Sequence, residues 1–507
     1  MAGIGFELKK LFHRRGLMAM LRAYGYAGVI CAGPMLLGVL LQFGVLIVSG
    51  WWQVGRPDRD LLVCMITYTL LASLVFTRFL ADMLFDHDEK MILPSFWGST
   101  DIMLVVGAVL YMVFLLFSGA TLMQGTLCLW LFLEMVVNWN AMSYLTAIKD
   151  YKSILYSFAA AVLVAFITSC VLLALAFPPV ESLLFAVVLG YGVMLVWDVL
   201  LLHRYFPQSR ENPWLFLQWV DQFLPLALTG LFTTIGLFTH LVITWCGPLG
   251  IKVKGLFYGA PYYDVPAMLA FLTILITTVN FVVSVEVNFY PTYRSYYSLL
   301  NDGGTVKDIT VAENEMLAVL NRELHYTALK QLLVTAAVIS LEKTALNALP
   351  LGFNDAMHGY FRVLCVGYAL YAVGNTVMLI LLYFTDYSGA LTASALFAGS
   401  TVIFTVIGQF FTTTLFGFGF LMGASLFLFY ATFRLASYTD NLPYRVMGRQ
   451  PIVAQTKRGR FTELGILLEH GEQRIDQSLQ RTEYKRHVRR ECGTNITEAS
   501  NTIGEES

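Results

Sequence analysis

Apolar stretches of roughly 20 residues, separated by short polar breaks, recur along the chain at 26–49, 61–83, 102–122, 125–147, 154–176, 182–204, 222–245, 264–287, 329–349, 360–384, 390–411 and 415–437. A run of that length covers ~30 Å of hydrocarbon at ~1.5 Å per residue, and a chain inside lipid must satisfy its own backbone hydrogen bonds, so each run predicts a crossing helix. The pattern therefore predicts an all-α membrane protein of about twelve transmembrane helices. The first run reads GPMLLGVLL from Gly33 and the seventh LPLALTGLF from Leu224, each with a proline followed by a glycine four or five residues later. This weak parallel divides the chain into two six-helix bundles, 26–204 and 222–438, joined by a linker at 205–221. Pro34 and Pro225 would then permit bent helices at matching positions beside a passage. Proline and glycine are also common in membrane helices for other reasons.

Three segments outside the runs carry patterns of their own. Residues 1–25 combine Phe6, Leu8, Leu11, Phe12 and Leu17 with a basic face, which suits a helix lying in the interface or a plain topogenic flank. Between runs eight and nine, at 288–328, the turn Asn301-Asp302-Gly303-Gly304 precedes Thr305 and, three residues on, Asp308, a capping-box arrangement. Val306, Ile309, Val311, Met316, Leu317, Leu320 and Leu324 follow at roughly helical spacing, predicting a cytoplasmic helix packed on the bundle or a partner. The tail, 439–507, is charged; counted from Arg434 the C-terminal part holds twelve of the 33 Lys and Arg, with a helical stretch near 461–490.

Composition agrees with a bilayer: 57% hydrophobic and 13% charged, where a soluble chain carries about 25% charge. The net charge of −1 is uninformative, but the placement of basic residues is not. Lys9, Lys10, Arg14, Arg15, Arg22, Lys149, Lys152, Arg294 and Arg322 fall on one side and only Arg56, Arg59, Lys252, Lys254 and Lys343 on the other, so both termini are expected in the cytoplasm. The seven cysteines have no metal or redox spacing, and no hydrolase, metalloprotease or nucleotide-binding motif is present. No enzyme activity, cofactor, metal or nucleic-acid partner is expected.

An ionisable group in hydrocarbon costs at least ~2.5–3.5 kcal/mol, so each intramembrane one should face the bundle interior, water or a partner. Glu134 lies mid-run with Asn138 one turn later on the same helix face. The pair would line a polar passage or carry a proton, or else a protonated Glu134 would bond a neighbouring helix. Arg78 and Asp82, four apart, would pair along their helix in a structural or gating role. Asp198 stands near the end of its run, where hydration is expected, and His240 reads as a helix-contact residue. Asp221 before Pro225, Asp264, Asn280 and Glu286 along the eighth run, and Asn375 in the tenth complete the candidate passage residues.

Three blocks resemble one family: MAGIGFELKKLF with AYGYAGVICAGP at 23–34, RFLADMLFDHDEKMILPSFWG at 78–98, and FYPTYRSYYSLLNDGGTVKDI at 289–309, with LPYRVMGRQPIV at 442–453 in support. They are similar to the PelG family, the membrane component of Pel exopolysaccharide secretion in bacteria. The resemblance covers nearly all of residues 1–452 and leaves the tail beyond about 455 unmatched. It implies a fold like the polysaccharide flippases and multidrug/oligosaccharidyl-lipid exporters, and export of an N-acetylhexosamine-rich polymer across the cytoplasmic membrane. It also implies a cytosolic PelF-like glycosyltransferase, PelD-like and PelE-like membrane partners, and cyclic di-GMP acting through the PelD-like protein. Arg294 and Arg322 in the 288–328 segment are expected to dock the glycosyltransferase. The rivals are a lipid-linked oligosaccharide flippase, an ion-coupled antiporter, and a scaffold that merely anchors the synthase.

Overall fold

The computed structural model describes residues 41, 44–81, 89–145, 151–209, 211–347, 353–411, 416–449 and 459–471. Pro34 and Asp82, the 1–25 segment and the tail beyond 471 lie outside the described residues. Helices α1 (44–51), α2 (Arg56–Ala81), α3 (Ile92–Phe117), α4 (Leu122–Leu145), α5 (Tyr151–Ala174) and α6 (Pro179–Tyr205) form the first half. A short α7 (Phe216–Gln222) leads into α8 (Leu224–Trp245), a two-stranded antiparallel hairpin β1 (Ile251–Lys254) and β2 (Phe257–Gly259), α9 (Pro261–Phe271) and α10 (Leu275–Val282). Then follow α11 (Tyr290–Asp302), α12 (Val306–Asn347), α13 (Asp355–Tyr383), α14 (Tyr387–Gln409), α15 (Phe418–Thr439), α16 (Leu442–Arg449) and a tail helix α17 at 460–471. Among the described residues ten helices are long and apolar enough to cross a membrane, and α2, 26 residues long, has the length as well. The chain is an all-α multi-pass membrane protein, with one hairpin among the described residues.

Burial divides the helices into two halves. One core gathers Leu62, Phe132, Val136, Leu184 and Tyr191 from the first half, and another gathers Tyr263, Leu364, Tyr368, Phe397 and Phe427 from the second. Lipid tails give helices no hydrophobic reason to pair, so close fit must hold them. α15 presents Gly419 and Gly423, four apart, to Thr405 and Thr401 of α14, where an added Cβ would overlap the threonines. Gly367 and Gly374 of α13, seven apart, likewise receive the rings of Phe420 and Phe427. Large exposed residues such as Leu116, Leu122, Leu200 and Phe429 cover the outer faces, as lipid-facing surface requires.

The two ends of the bundle differ. At the hairpin end, Leu256 donates to the Ser118 carbonyl at 3.0 Å, and Lys254 Nζ donates to Gln124 Oε1 at 3.0 Å, so a connection belonging to the second half sits on the first. At the linker end, Phe223 meets Tyr387 (ring centroids 5.8 Å) and Tyr293 donates to the Tyr383 carbonyl at 3.0 Å.

Three expectations change. Pro225 stands in the first turn of α8, where its missing N–H has no intrahelical acceptor anyway, so it starts that helix and does not bend it. The broken span is the eighth: Pro266 lies inside α9, a 3-10 turn follows at Leu272–Ile274, and a π-helical turn occupies Val283–Phe289. Finally, the 288–328 segment is not separate from the ninth span. Gly303, at φ 89°, caps α11, the Thr305 hydroxyl accepts from the Asp308 N–H at 3.3 Å, and α12 then runs 42 residues without interruption. Met316 and Leu320 are buried as the pattern predicts, whereas Val306 and Val311 are exposed.

Candidate transport site

Within the first half, Glu134 and Asn138 share one face of α4 and turn it toward α6. Glu134 Oε1 accepts from Trp130 Nε1 at 2.8 Å, and a Cβ on Gly192 would sit 3.0 Å from the same oxygen. Asn138 Nδ2 donates to the Tyr191 carbonyl at 3.1 Å. Glu134 Oε2 and Asn138 Oδ1 are buried without a hydrogen bond among the described residues. Asp198 on α6 is fully buried beside Ser157, contrary to the expected hydration, because its helix end is covered by α5.

The densest polar arrangement lies where the irregular eighth span meets α12. Thr273, Thr277, Asn280 and Ser284 recur at spacings of four, three and four, a single helical stripe, and face Thr327, Gln331 and Thr335 at spacings of four. Asn280 Nδ2 donates to Thr327 Oγ1 at 2.7 Å and to Ser284 Oγ at 3.3 Å, while its Oδ1 accepts from Lys330 Nζ at 2.6 Å. Thr277 donates to Gln331 Oε1, and Gln331 Nε2 donates to Thr335 Oγ1 at 3.2 Å. These are hydroxyls and amides with one ammonium, groups that exchange hydrogen bonds with water or with sugar hydroxyls without demanding an opposite charge. Of these residues only Asn280 stands out in the sequence as a strongly polar amide in the interior of an apolar run; the recurrence of Thr, Ser and Gln at helical spacing is the signal that marks the rest. Glu286 falls in the π-helical turn, and its side chain lies outside the described set.

At the hairpin end the two halves meet through aromatic rings. Tyr68 of α2 stacks on Trp245 at 4.8 Å and on Phe114 at 5.7 Å, with Phe257 edge-on at 5.4 Å. Its hydroxyl donates to the Tyr258 carbonyl at 3.2 Å and accepts from the Tyr258 N–H at 3.3 Å. Asp264 belongs to this closure and not to an open stripe: both carboxylate oxygens accept from Trp245 Nε1 at 2.9 Å, and the Ala260 N–H donates to Oδ2 at 2.8 Å.

Asp221 is likewise engaged elsewhere. Its carboxylate accepts from the backbone of Gly459, Phe461 and Thr462 and from the Thr462 hydroxyl, all belonging to the tail. Burial pushes the carboxyl up, but these bonds outweigh it and hold the group below the usual carboxylate range. Asn375 is half-buried in α13. Arg78 lies in α2 with its side chain outside the described set. Arg294 and Arg322 are both exposed, Arg322 lying 3.5 Å from the Glu323 carboxylate. His240 fits the helix-contact reading, with Tyr263 at 2.8 Å and Tyr368 at 3.3 Å from its two ring nitrogens. Unforeseen were two ion pairs across helices, Arg434 with the buried Asp386 (2.6 Å) and Arg362 with the buried Glu342. Among the described residues no His, Cys, Asp and Glu cluster suits a metal ion.

The predicted residues thus do not converge: Glu134 and Asn138 bond within the first half, Asn280 bonds α12, Asp264 closes the hairpin end and Asp221 holds the tail. Solved structures share the fold at low identity. A MATE transporter in complex with MaL6 is 12% identical with a TM-score of 0.54, over 82% of this chain and 96% of that one. A MOP superfamily transporter from Pyrococcus furiosus is 13% identical with a TM-score of 0.51, over 82% and 96%. An outward-facing multidrug resistance MATE family transporter of the MOP superfamily is 14% identical with a TM-score of 0.50, over 84% and 97%. No curated protein sequence matches the chain. The family model for PelG, the exopolysaccharide exporter (EPS-E), matches residues 1–447, and the chain therefore belongs to the PelG family of exopolysaccharide exporters.

Proposed function

We propose that this protein carries a Pel-type, N-acetylhexosamine-rich exopolysaccharide across the bacterial cytoplasmic membrane, between its two helical halves, as a cytosolic glycosyltransferase makes it. The observation that carries the reading is the family match over 447 residues, which takes in all the described helices through α15. A transporter fold and the polar stripe running from the 3-10 turn through α10 against α12, hydroxyls and amides with a single ammonium, support it, since a glycan needs hydroxyl-bonding groups more than charge. Glu134 and Asn138, each with an unused buried oxygen, supply further acceptors. The exposed Arg294 and Arg322, on helices that leave the bundle at the linker end, suit docking of a PelF-like enzyme there, with PelD-like and PelE-like proteins beside them and cyclic di-GMP acting through the former. On this reading the linker end and both termini face the cytoplasm.

The test replaces Glu134 with Gln and with Leu, confirms membrane insertion, and measures polymer outside the cytoplasmic membrane. Export should fall in Glu134→Leu and less in Glu134→Gln, which keeps an acceptor oxygen. Full export from both variants, combined with its loss on charge reversal at Arg294 and Arg322, would identify a synthase scaffold in place of a conduit.

A further inference from the structure

We propose that residues 459–471 are a brace that ties the two helical halves together at the linker end, and that its attachment to Asp221 restrains their relative movement. The route of the chain makes the case first. Leu435 and Tyr438 of α15 and Leu442 of α16 belong to the core of the second half, so the chain leaves the bundle from that half. It is next described in α17, where Phe461 and Leu468 pack against the core of the first half, together with Trp214, Trp219 and Phe223. A segment covalently continuous with one half is therefore seated on the other.

The attachment is specific. The first N–H groups of any helix lack intrahelical acceptors and are usually satisfied by a side chain just upstream. In α17 the acceptor comes from about 240 residues away in sequence: Asp221 takes the N–H of Gly459 at 3.1 Å, Phe461 at 3.3 Å and Thr462 at 2.7 Å, and the Thr462 hydroxyl at 2.6 Å. Gly465, one turn further, lets α17 lie against the linker, since a Cβ there would stand 3.2 Å from the Trp214 carbonyl oxygen. Asp221 itself precedes the start of α8 at Leu224 by three residues. Trp214, Leu217 and Asp221 all belong to the linker around α7, so α17 is fixed to the linker and the first-half core, while the chain that carries it comes from α16 on the second half. The family match ends at residue 447, before α17 begins, so the brace lies outside the matched region. It holds whatever polymer the halves enclose.

The experiment uses the full chain in lipid nanodiscs, with hydrogen exchange at α17 and nitroxide distance distributions between Tyr156→Cys on α5 and Thr392→Cys on α14, both exposed near the linker end. Native cysteines are replaced throughout. Asp221→Ala should speed exchange at Gly459, Phe461 and Thr462 at least tenfold, and should broaden the distance distribution as much as removal of 459–507 does. Thr462→Val, which deletes only the hydroxyl donor, should give a smaller change of both kinds and stands in where Asp221→Ala fails to insert. Unchanged exchange in Asp221→Ala overturns the attachment. Faster exchange with wild-type distances in both Asp221→Ala and the truncation overturns the brace, leaving α17 an ordinary appended helix.

Discussion

Gly255 holds the hairpin against the first half, and replacing it with alanine should loosen that end of the molecule. Its φ of +54° is a left-handed conformation that costs a residue with a Cβ ~1–2 kcal/mol. The added Cβ would also overlap the Ser118 carbonyl oxygen, and a Cβ on the facing Gly119 would come within 3.2 Å of the Gly255 Cα, so neither side has room to yield. The hairpin must therefore shift and give up the 3.0 Å bond from Leu256 N–H to Ser118, worth ~1 kcal/mol net. Together about 2–3 kcal/mol is lost from the closed arrangement, which at ~1.4 kcal/mol per tenfold raises the detached population roughly 30- to 140-fold. Cys64 reports it: 8% exposed, with Sγ 3.8 Å from the Tyr258 carbonyl, it lies under the second strand. In a chain retaining only Cys64, an impermeant maleimide should label Gly255→Ala about 30-fold faster than the wild type. Gly125→Ala, whose Cβ would meet nothing within 4 Å, should label at the wild-type rate. A companion chain retaining only the buried Cys128 should remain unlabelled, which separates local release from unfolding. Equal Cys64 rates in Gly255→Ala and wild type would refute the reasoning.

Two further outcomes can be checked. Arg434→Leu strands the fully buried Asp386 carboxylate and should cost ~3–5 kcal/mol, read as a lower thermal midpoint in detergent; adding Asp386→Asn should recover part of it, and an unshifted midpoint in the single variant would show that the pair is not needed. The Asp221 carboxyl is held below its ordinary value of 3.8, so the stability it gives α17 is present above that value and is lost only as pH falls through the lower folded one. Corrected exchange protection at Thr462 should accordingly be flat from pH 8 to pH 5; a loss within that window would contradict the depressed carboxyl.

The spans were legible because lipid imposes a length and an apolar content on every crossing helix, and ten of them recur in the structure among the described residues. The capping at Thr305 and Asp308 was legible for the same kind of reason, being local chemistry. Partnerships between distant segments were not. Asp221 beside Pro225 looks like a membrane-entry residue until Thr462 is placed against it, and Asp264 looks like part of a polar stripe until Trp245 folds over it. Pro225 and Pro266 are both prolines in apolar runs, yet only the position within the helix decides which one disrupts it: the first turn has no acceptor to lose, the interior does. The polar stripe facing α12 escaped because threonine and serine cost little in a membrane helix and so draw no attention one at a time.

The unbroken α12 has the geometry of a lever. At ~1.5 Å per residue its 42 residues measure about 63 Å, roughly twice the hydrocarbon thickness, so one rigid rod serves both the lipid interior and the space beyond the linker end. Arg322 and Lys330 ride on it eight residues, or about 12 Å, apart, the first facing solvent and the second bonded to Asn280. A push on the arm beyond Lys330 would reach the Asn280 contact with no loop in between to absorb it.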